Sequence, residues 1–358
     1  MRVLQVITSL QTGGAETLVS NMIPRLRVLG HIVDICLFNG MDTPLLRIQK
    51  EILGVKIHVL GSSYYNPFYI VKLTKIMRRY DVIHTHNSSP QLFVAIANKF
   101  CHKKIVTTEH STNNRKRGHK FFRFVDKWMY RQYDTVICIS DIAKKKLEEY
   151  LGVESHVGIS IIYNGVDVTA FYRAMPLDRK DIGSDKSKFV MVMVAGFREA
   201  KDQDTLIKAM ARLPKDCYEL WLVGDGVRKD ELKRLIHTLK LENSIKLLGV
   251  RIDVPNILKA ANVVVMSSHW EGLSLSNIEG MSVGKPFVAS DVDGLREMTK
   301  GAGILFQHGD DKELANIIAR LHYDHQFYQQ TADACYQKAR QFDISETVAQ
   351  YDNIYRKL

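Results

Sequence analysis

Residues 268–281 read Ser268-His269-Trp270-Glu271-Gly272-Leu273-Ser274-Leu275-Ser276-Asn277-Ile278-Glu279-Gly280-Met281, and they follow the apolar run Val263–Ser267. A short apolar run of this kind, bounded by polar residues, is the pattern of a strand buried on both faces. Glu271-Gly272 predicts a turn, and Ser274 or Ser276 predicts the cap of a helix running through Val283. Strand, turn and helix in that order aim unpaired backbone N–H groups and the positive end of a helix dipole at the space beyond the strand. Phosphate is the ligand such a site suits. Glu271 stands before the helix and Glu279 one or two turns into it. A carboxylate accepts two hydroxyl hydrogen bonds side by side, so one acid suits a sugar hydroxyl and the other a ribose diol. Spacing alone fits equally well two acids that merely complement a dipole.

Outward from this stretch, strands and amphipathic helices alternate over the whole chain, which implies parallel sheets covered by helices. The β-rich runs of the first half are Val3–Thr8, Val33–Phe38, Val82–Thr85, Lys104–Thr108, Thr135–Ile139 and Ser160–Tyr163. After Asn164-Gly165-Val166-Asp167 and a polar stretch, the alternation restarts with Phe189–Ala195. It continues through Glu219–Val223, Ile245–Leu248, Pro286–Ser290 and Gly303–Phe306. Helical patterns at about 312–322, 327–340 and 345–356 end the chain. Two successive α/β units without an internal sequence repeat are expected. In open α/β sheets ligands bind outside the carboxyl ends of strands, and the motifs below all fall on such loops.

At 358 residues the chain exceeds what one core usually supports, and 46% hydrophobic with 25% charged residues is an ordinary globular composition. No apolar run reaches the ~18 residues of a membrane span. Val3–Ile7 is too short for a signal-peptide core and reads as a first strand. Five dispersed cysteines without CxxC spacing point to reduced thiols and a cytoplasmic setting. The charge is uneven. Residues 1–162 carry 23 Lys and Arg against 12 Asp and Glu, whereas residues 163–358 carry 27 of each. The first half is therefore expected to meet something anionic, or to be a solubilising surface.

The pattern Glu-Gly-x-x-x-x-x-x-Glu-x-Met-x-x-Gly-x-Pro, spanning Glu271, Gly272, Glu279, Met281, Gly284 and Pro286, resembles the signature of retaining GT-B glycosyltransferases, specifically glycosyltransferase family 4. The resemblance extends over essentially the whole chain. Gly13-Gly14-Ala15-Glu16 is similar to the family's N-terminal glycine loop and Asn164–Asp167 to its interdomain turn. Lys201–Leu206 is similar to its phosphate-binding loop, and Gly224-Asp225-Gly226 and Leu248-Gly249-Val250 to two further motifs. It implies two Rossmann-like domains facing a central cleft. The expected bounds are an acceptor domain at 1–164 and a donor domain at 165–341, with a last helix, about 342–358, packing back on the first.

For the remaining residues, the chemistry and the resemblance run side by side. Gly13 and Gly14 open a helix after the first strand, where glycine lets backbone approach a diphosphate. The full GxGxxG is absent, which disfavours a redox dinucleotide. Arg198 and Lys201 follow a strand and suit a diphosphate clamp. The family places an Arg five residues before the Lys, but Gly196 stands there and Arg198 is the substitute. The resemblance assigns His110 to the transferred sugar. His84 and His86 share a strand face without the further ligands a metal needs. Asp291-Val292-Asp293 matches the metal motif of another glycosyltransferase fold but lies in the family's glycine-rich donor loop, and is read as coincidental. Residues 113–131 carry seven cations among Phe121, Val125 and Trp128 at helical spacing, a basic amphipathic helix suited to anionic lipid or to a core with a solvated basic side.

The implied activity is retaining transfer of a hexosyl or N-acetylhexosaminyl group from a nucleoside-diphosphate sugar, with UDP expected, to a hydroxyl of a glycan or lipid-linked glycan. Cell-surface polysaccharide synthesis, without metal or other cofactor, is the expected setting. Gly13, Gly14, Arg198, Lys201, Gly272, Leu273, Ser274 and Leu275 would hold the diphosphate. Glu279, Val250, Arg251 and Gly224 would hold ribose and base, and Glu271 and His110 the sugar. The rivals are an epimerase or glycan phosphorylase on the same scaffold, and a basic nucleic-acid-binding protein. The last is disfavoured by the lack of RNP or zinc-finger spacing.

Overall fold

The computed structural model describes residues 1–11, 13–52, 54–110, 120–152, 158–271 and 275–358. The chain divides into two compact units, Met1–Gly165 with Ile344–Leu358, and Val166–Asp343. Each unit is built on one sheet whose strands all pair in parallel.

Among the described residues the first sheet has seven strands: β1 (Arg2–Ile7), β2 (Ile32–Asn39), β3 (Ile57–Gly61), β4 (Val82–His86), β5 (Lys104–Glu109), β6 (Thr135–Cys138) and β7 (Ile159–Ile161). Their order is β3-β2-β1-β4-β5-β6-β7. The second sheet has six: β8 (Phe189–Val194), β9 (Tyr218–Val223), β10 (Ile245–Gly249), β11 (Val263–Met266), β12 (Phe287–Ser290) and β13 (Ile304–Phe306). Their order is β10-β9-β8-β11-β12-β13. In each sheet the order reverses once, at β1/β4 and at β8/β11. A parallel sheet opens a crevice for ligand outside such a reversal.

The central strands are rich in apolar residues that suit burial on both faces. β8 reads Phe-Val-Met-Val-Met-Val and is buried along almost its whole length, as a strand covered on both faces must be. β3 is the strand that sequence reading missed. Ile57-His58-Val59-Leu60-Gly61 alternates exposed and covered positions and pairs only with β2, so an edge strand of this kind has no continuous apolar run to announce it.

The helix Ile344–Lys357 belongs to the first unit. Ile344, Val348, Tyr351 and Tyr355 fall on one helical stripe and are buried against a cluster that includes Val3, Ile7, Val33 and Met22. Burying each such side chain contributes on the order of 1.5–3 kcal/mol. His31 meets Asp352 of the same helix at 2.6 Å, and Thr347 donates to the Tyr163 carbonyl at 3.0 Å.

Candidate active site

At the β8/β11 reversal two loops are stitched together by small polar side chains. Ser267 Oγ donates to the Asp202 carbonyl at 2.7 Å, and the His269 amide donates to the Ala200 carbonyl at 2.9 Å. Ser290 Oγ, at the end of β12, donates to the Ser268 carbonyl at 2.6 Å. These bonds bring Lys201 and Glu271, seventy positions apart in sequence, into an ion pair in which both side chains are largely covered. Ser268 Oγ donates to the same Glu271 oxygen at 2.9 Å. In a covered pair of this kind, removing either partner strands the other. Asp202, next to Lys201, takes a left-handed backbone (φ 45°) and caps the helix Gln203–Ala211 through Thr205.

Glu279 lies in the helix Leu275–Ser282, half-buried. Among the described residues its carboxylate has no hydrogen-bond or ion-pair partner, and burial pushes its pKa up to about 7. An acid in this state is poised to ionise against a ligand that brings its own donors, and a pair of hydroxyls is such a ligand.

Gly224 ends β9 at φ +141°, and a Cβ there would stand 2.1 Å from the Ala195 carbonyl oxygen, so the close approach of two strand-end loops requires glycine. Gly196 is different: a Cβ there would meet Arg198 Nε and the Asp225 carbonyl at 3.7 Å, ordinary contact distance, so a side chain could start there without a clash. Arg198 is exposed beside it. Val250 is exposed beyond β10, and Arg251 is paired with Asp253 at 2.6 Å. Leu275 is buried at the start of its helix; Gly272, Leu273 and Ser274 lie outside the described residues. Arg296 is ion-paired with both Asp291 and Asp293, so these two acids are occupied by an arginine of their own loop.

In the first unit the strand ends carry a second polar group. Gly13 precedes the helix Gly14–Val28, and the Glu16 carboxylate folds back to where a Gly13 Cβ would stand, 2.4 Å away. Burial raises the Glu16 pKa, and Asn87, at φ 72° after β4, reaches it at 3.5 Å.

Behind this group runs a buried hydrogen-bonded chain. His110 Nε2 lies 2.9 Å from His86 Nδ1, and His86 Nε2 lies 2.8 Å from Gln5 Oε1. Gln5 Nε2 donates to Tyr355 Oη at 3.2 Å; Tyr355 Oη lies 2.6 Å from His84 Nδ1, and His84 Nε2 lies 2.8 Å from Thr108 Oγ1. Burial lowers all three histidines, His84 to about 3, His110 to about 4 and His86 well below the usual value, so all are neutral at pH 7. The proton order then follows. Gln5 Oε1 only accepts, so His86 carries its proton on Nε2 and accepts at Nδ1 from His110 Nε2–H. His110 Nδ1 is left with a lone pair, and it is buried without a partner among the described residues. That atom suits a donating hydroxyl. All four ring nitrogens of His84 and His86 are taken, which leaves no metal ligand there.

Sequence reading missed Gln5, Ser268, Asn87 and Tyr355. Asn87 had a faint signal as an Asn between a strand and a helix start. The others gain meaning only from partners distant in the chain.

Comparison with known proteins adds three findings. The family described as Glycosyltransferase Family 4 matches residues 12–170, and that described as Glycosyl transferases group 1 matches residues 175–342. The Escherichia coli UDP-Gal:alpha-D-GlcNAc-diphosphoundecaprenol alpha-1,3-galactosyltransferase is 29% identical over 70% of this chain and 69% of its own. The Bacillus anthracis N-acetyl-alpha-D-glucosaminyl L-malate synthase is 24% identical over 96% and 93%. Among solved structures, Anabaena HepE in complex with UDP and glucose has a TM-score of 0.85, 25% identity and full coverage of both chains, as does the same protein with UDP-glucose.

Proposed function

From the premise that the chain belongs to glycosyltransferase family 4 and has its GT-B fold, we propose that it is a retaining enzyme that transfers a hexosyl or N-acetylhexosaminyl group from a UDP-sugar to a hydroxyl of a glycan or lipid-linked glycan. The observation that carries this reading is the covered Lys201–Glu271 pair at the β8/β11 reversal, followed in the next helix by Glu279, which holds its proton up to about pH 7 and has no partner among the described residues.

The chemistry follows from exchange of partners. An arriving diphosphate competes with Glu271 for Lys201, and the carboxylate released accepts hydroxyls of the donor sugar. Lys201, aided by Arg198 and the helix start at Leu275, offsets the charge that develops on the departing nucleotide. Glu279 ionises as it takes the ribose diol, while Val250, Arg251 and Gly224 border the base. His110 serves the transferred sugar through the lone pair of Nδ1. Gly13 and Gly14 leave room for the diphosphate, and no metal is assigned a part in the transfer.

The Escherichia coli and Bacillus anthracis relatives, whose names state a lipid-linked sugar and a small acid as acceptors, support an acceptor bearing a hydroxyl; the setting we propose is cell-surface glycan synthesis on the cytoplasmic side of a membrane. Among the described residues no helix is long and apolar enough to cross a membrane. Residues 113–119 lie outside the described residues. In the helix Lys120–Tyr130, however, Phe124 and Trp128 are 75% and 36% exposed, with Arg123 exposed beside them, which supports a peripheral site on anionic lipid.

A thermal-shift screen of nucleotide sugars, followed by mass spectrometry of products, tests the reading. Stabilisation by UDP and one UDP-sugar with a mass gain on a glycan acceptor is expected. Interconversion of the sugar with no acceptor present would replace transfer by epimerisation.

A further inference from the structure

We propose that Asp202, His269 and His308 form a binding site for one divalent transition-metal ion of the Zn²⁺ class. The three residues come from three different loops, after β8, β11 and β13, all at the carboxyl edge of the second sheet. Among the described residues they are the one group of three or more His, Cys, Asp or Glu side chains whose ligand atoms lie within 4.8 Å of one another.

Two of the three ligand separations lie near those of a metal cage. His269 Nδ1 stands 2.5 Å from His308 Nε2 and 3.7 Å from Asp202 Oδ2. Ligand atoms bound at ~2.1 Å in a tetrahedral site lie about 3.4 Å apart, so the two separations bracket the value an ion would impose. The imidazole rings cross at 81°, with His269 Nδ1 and His308 Nε2 facing each other. Two ring lone pairs at 2.5 Å repel each other unless a proton or a cation sits between them.

The ligands are held in place before any ion arrives. Asp202 is almost fully buried, and its Oδ2 accepts from Thr205 Oγ1 at 2.7 Å. The His269 backbone is fixed by its bond to Ala200. Outer bonds of this kind orient metal ligands. His308 is exposed, which gives the ion an entry path and leaves a fourth position for water. Two imidazoles and one carboxylate suit Zn²⁺, Co²⁺ or Ni²⁺ and are poor for Mg²⁺ or Ca²⁺, which demand oxygen.

The ion would not touch the reacting atoms. Asp202 adjoins Lys201, and His269 lies two residues before Glu271, so the metal would cross-link the loops that carry the ion pair and tie both to the loop after β13. The site goes beyond the transfer reading, and it stands or falls without it.

The test uses the full chain, free of any histidine tag, stripped with chelator and then titrated with Co²⁺ and Zn²⁺. One equivalent of Co²⁺ is expected, giving the intense visible bands of a four-coordinate nitrogen–oxygen site, displaced by Zn²⁺ and accompanied by a rise in Tm. His308→Ala, at an exposed position, is expected to keep the metal-free Tm and weaken Co²⁺ binding at least tenfold. His269→Ala is expected to weaken it likewise. Absence of a visible Co²⁺ spectrum, affinity unchanged in both variants, or a sulfur-to-cobalt charge-transfer band pointing to the exposed thiol of Cys217 would each overturn the proposal. A proton shared between the two rings predicts the first of these.

Discussion

Among the described residues the Glu279 carboxylate meets no donor, and its pKa of about 7 against an ordinary 4.5 has two consequences of opposite sign. Because the folded state holds this proton more tightly than the unfolded chain, stability from this group falls as pH rises from about 4.5 through 7. Glu279→Gln is therefore expected to stabilise the free protein at pH 8 by on the order of 1 kcal/mol, read from denaturant unfolding, with little change at pH 5. Ligand affinity runs the other way. Ribose hydroxyls donate to the ionised form, so UDP-glucose should bind more tightly as pH rises from 6 to 8, and calorimetry should find that slope gone in Glu279→Gln. A slope that survives the substitution removes the ribose role. Lys201→Ala leaves Glu271 covered without its cation and removes the charge meant for the diphosphate, and a loss of donor affinity of roughly tenfold or more is expected. The two glycines beside it should differ. Gly224→Ala forces a Cβ against the Ala195 carbonyl at a left-handed φ and should cost about 2 kcal/mol or more. Gly196→Arg meets no Cβ clash and no left-handed φ, should shift Tm far less than Gly224→Ala, and should tighten donor binding.

The helix Ile344–Lys357 shows how an element reaches a site it does not line. Its Tyr355 hydroxyl accepts a hydrogen bond from Gln5 Nε2 and donates one to His84 Nδ1, and Gln5 in turn orders the proton on His86 and His110. Tyr355→Phe leaves two buried polar atoms unmatched and should destabilise the fold by about 1–3 kcal/mol. Val348→Ala, on the same stripe, supplies a control of similar cost. If the hydroxyl matters through proton order, kcat falls in the first variant and holds in the second at temperatures where both are folded. Equal kcat would leave the chain of bonds a purely structural device.

Much of this level was legible in the sequence. Short β-rich runs such as Phe189–Val194 announced twelve strands, and a helical pattern at about 345–356 announced the last helix. β3 was hidden by its edge position, where half of its side chains face water. The site was legible only as a set of separate residue types. Lys201 and Glu271 could each be assigned a task, but their pairing depends on backbone bonds between loops that sequence spacing does not encode. Gln5 and Tyr355, 350 positions apart, carry no local signal at all.

For the whole molecule the unequal charge is the feature with reach. The first 162 residues hold the entire excess of cations, and the first unit also exposes Phe68, Phe100 and Phe124 by 76%, 62% and 75%. Basic side chains among exposed aromatics favour an anionic lipid surface, with attraction that fades beyond a Debye length of about 8 Å at physiological salt. The protein should co-float with vesicles containing anionic lipid at low salt, float less with neutral ones, and be released as salt is raised. Failure to float at any salt concentration would leave the charge as a solubilising surface.

The division of the chain also bears on how the protein is made. Residues 344–358 complete the first unit, yet they leave the ribosome only after the whole of Val166–Asp343. At ~5–20 residues per second the sheet begun by residue 2 waits roughly ten to forty seconds for Tyr351 and Tyr355 to fill their sockets. The part synthesised first is thus the part finished last, and during that interval its uncovered apolar trough is the natural place for a chaperone to bind.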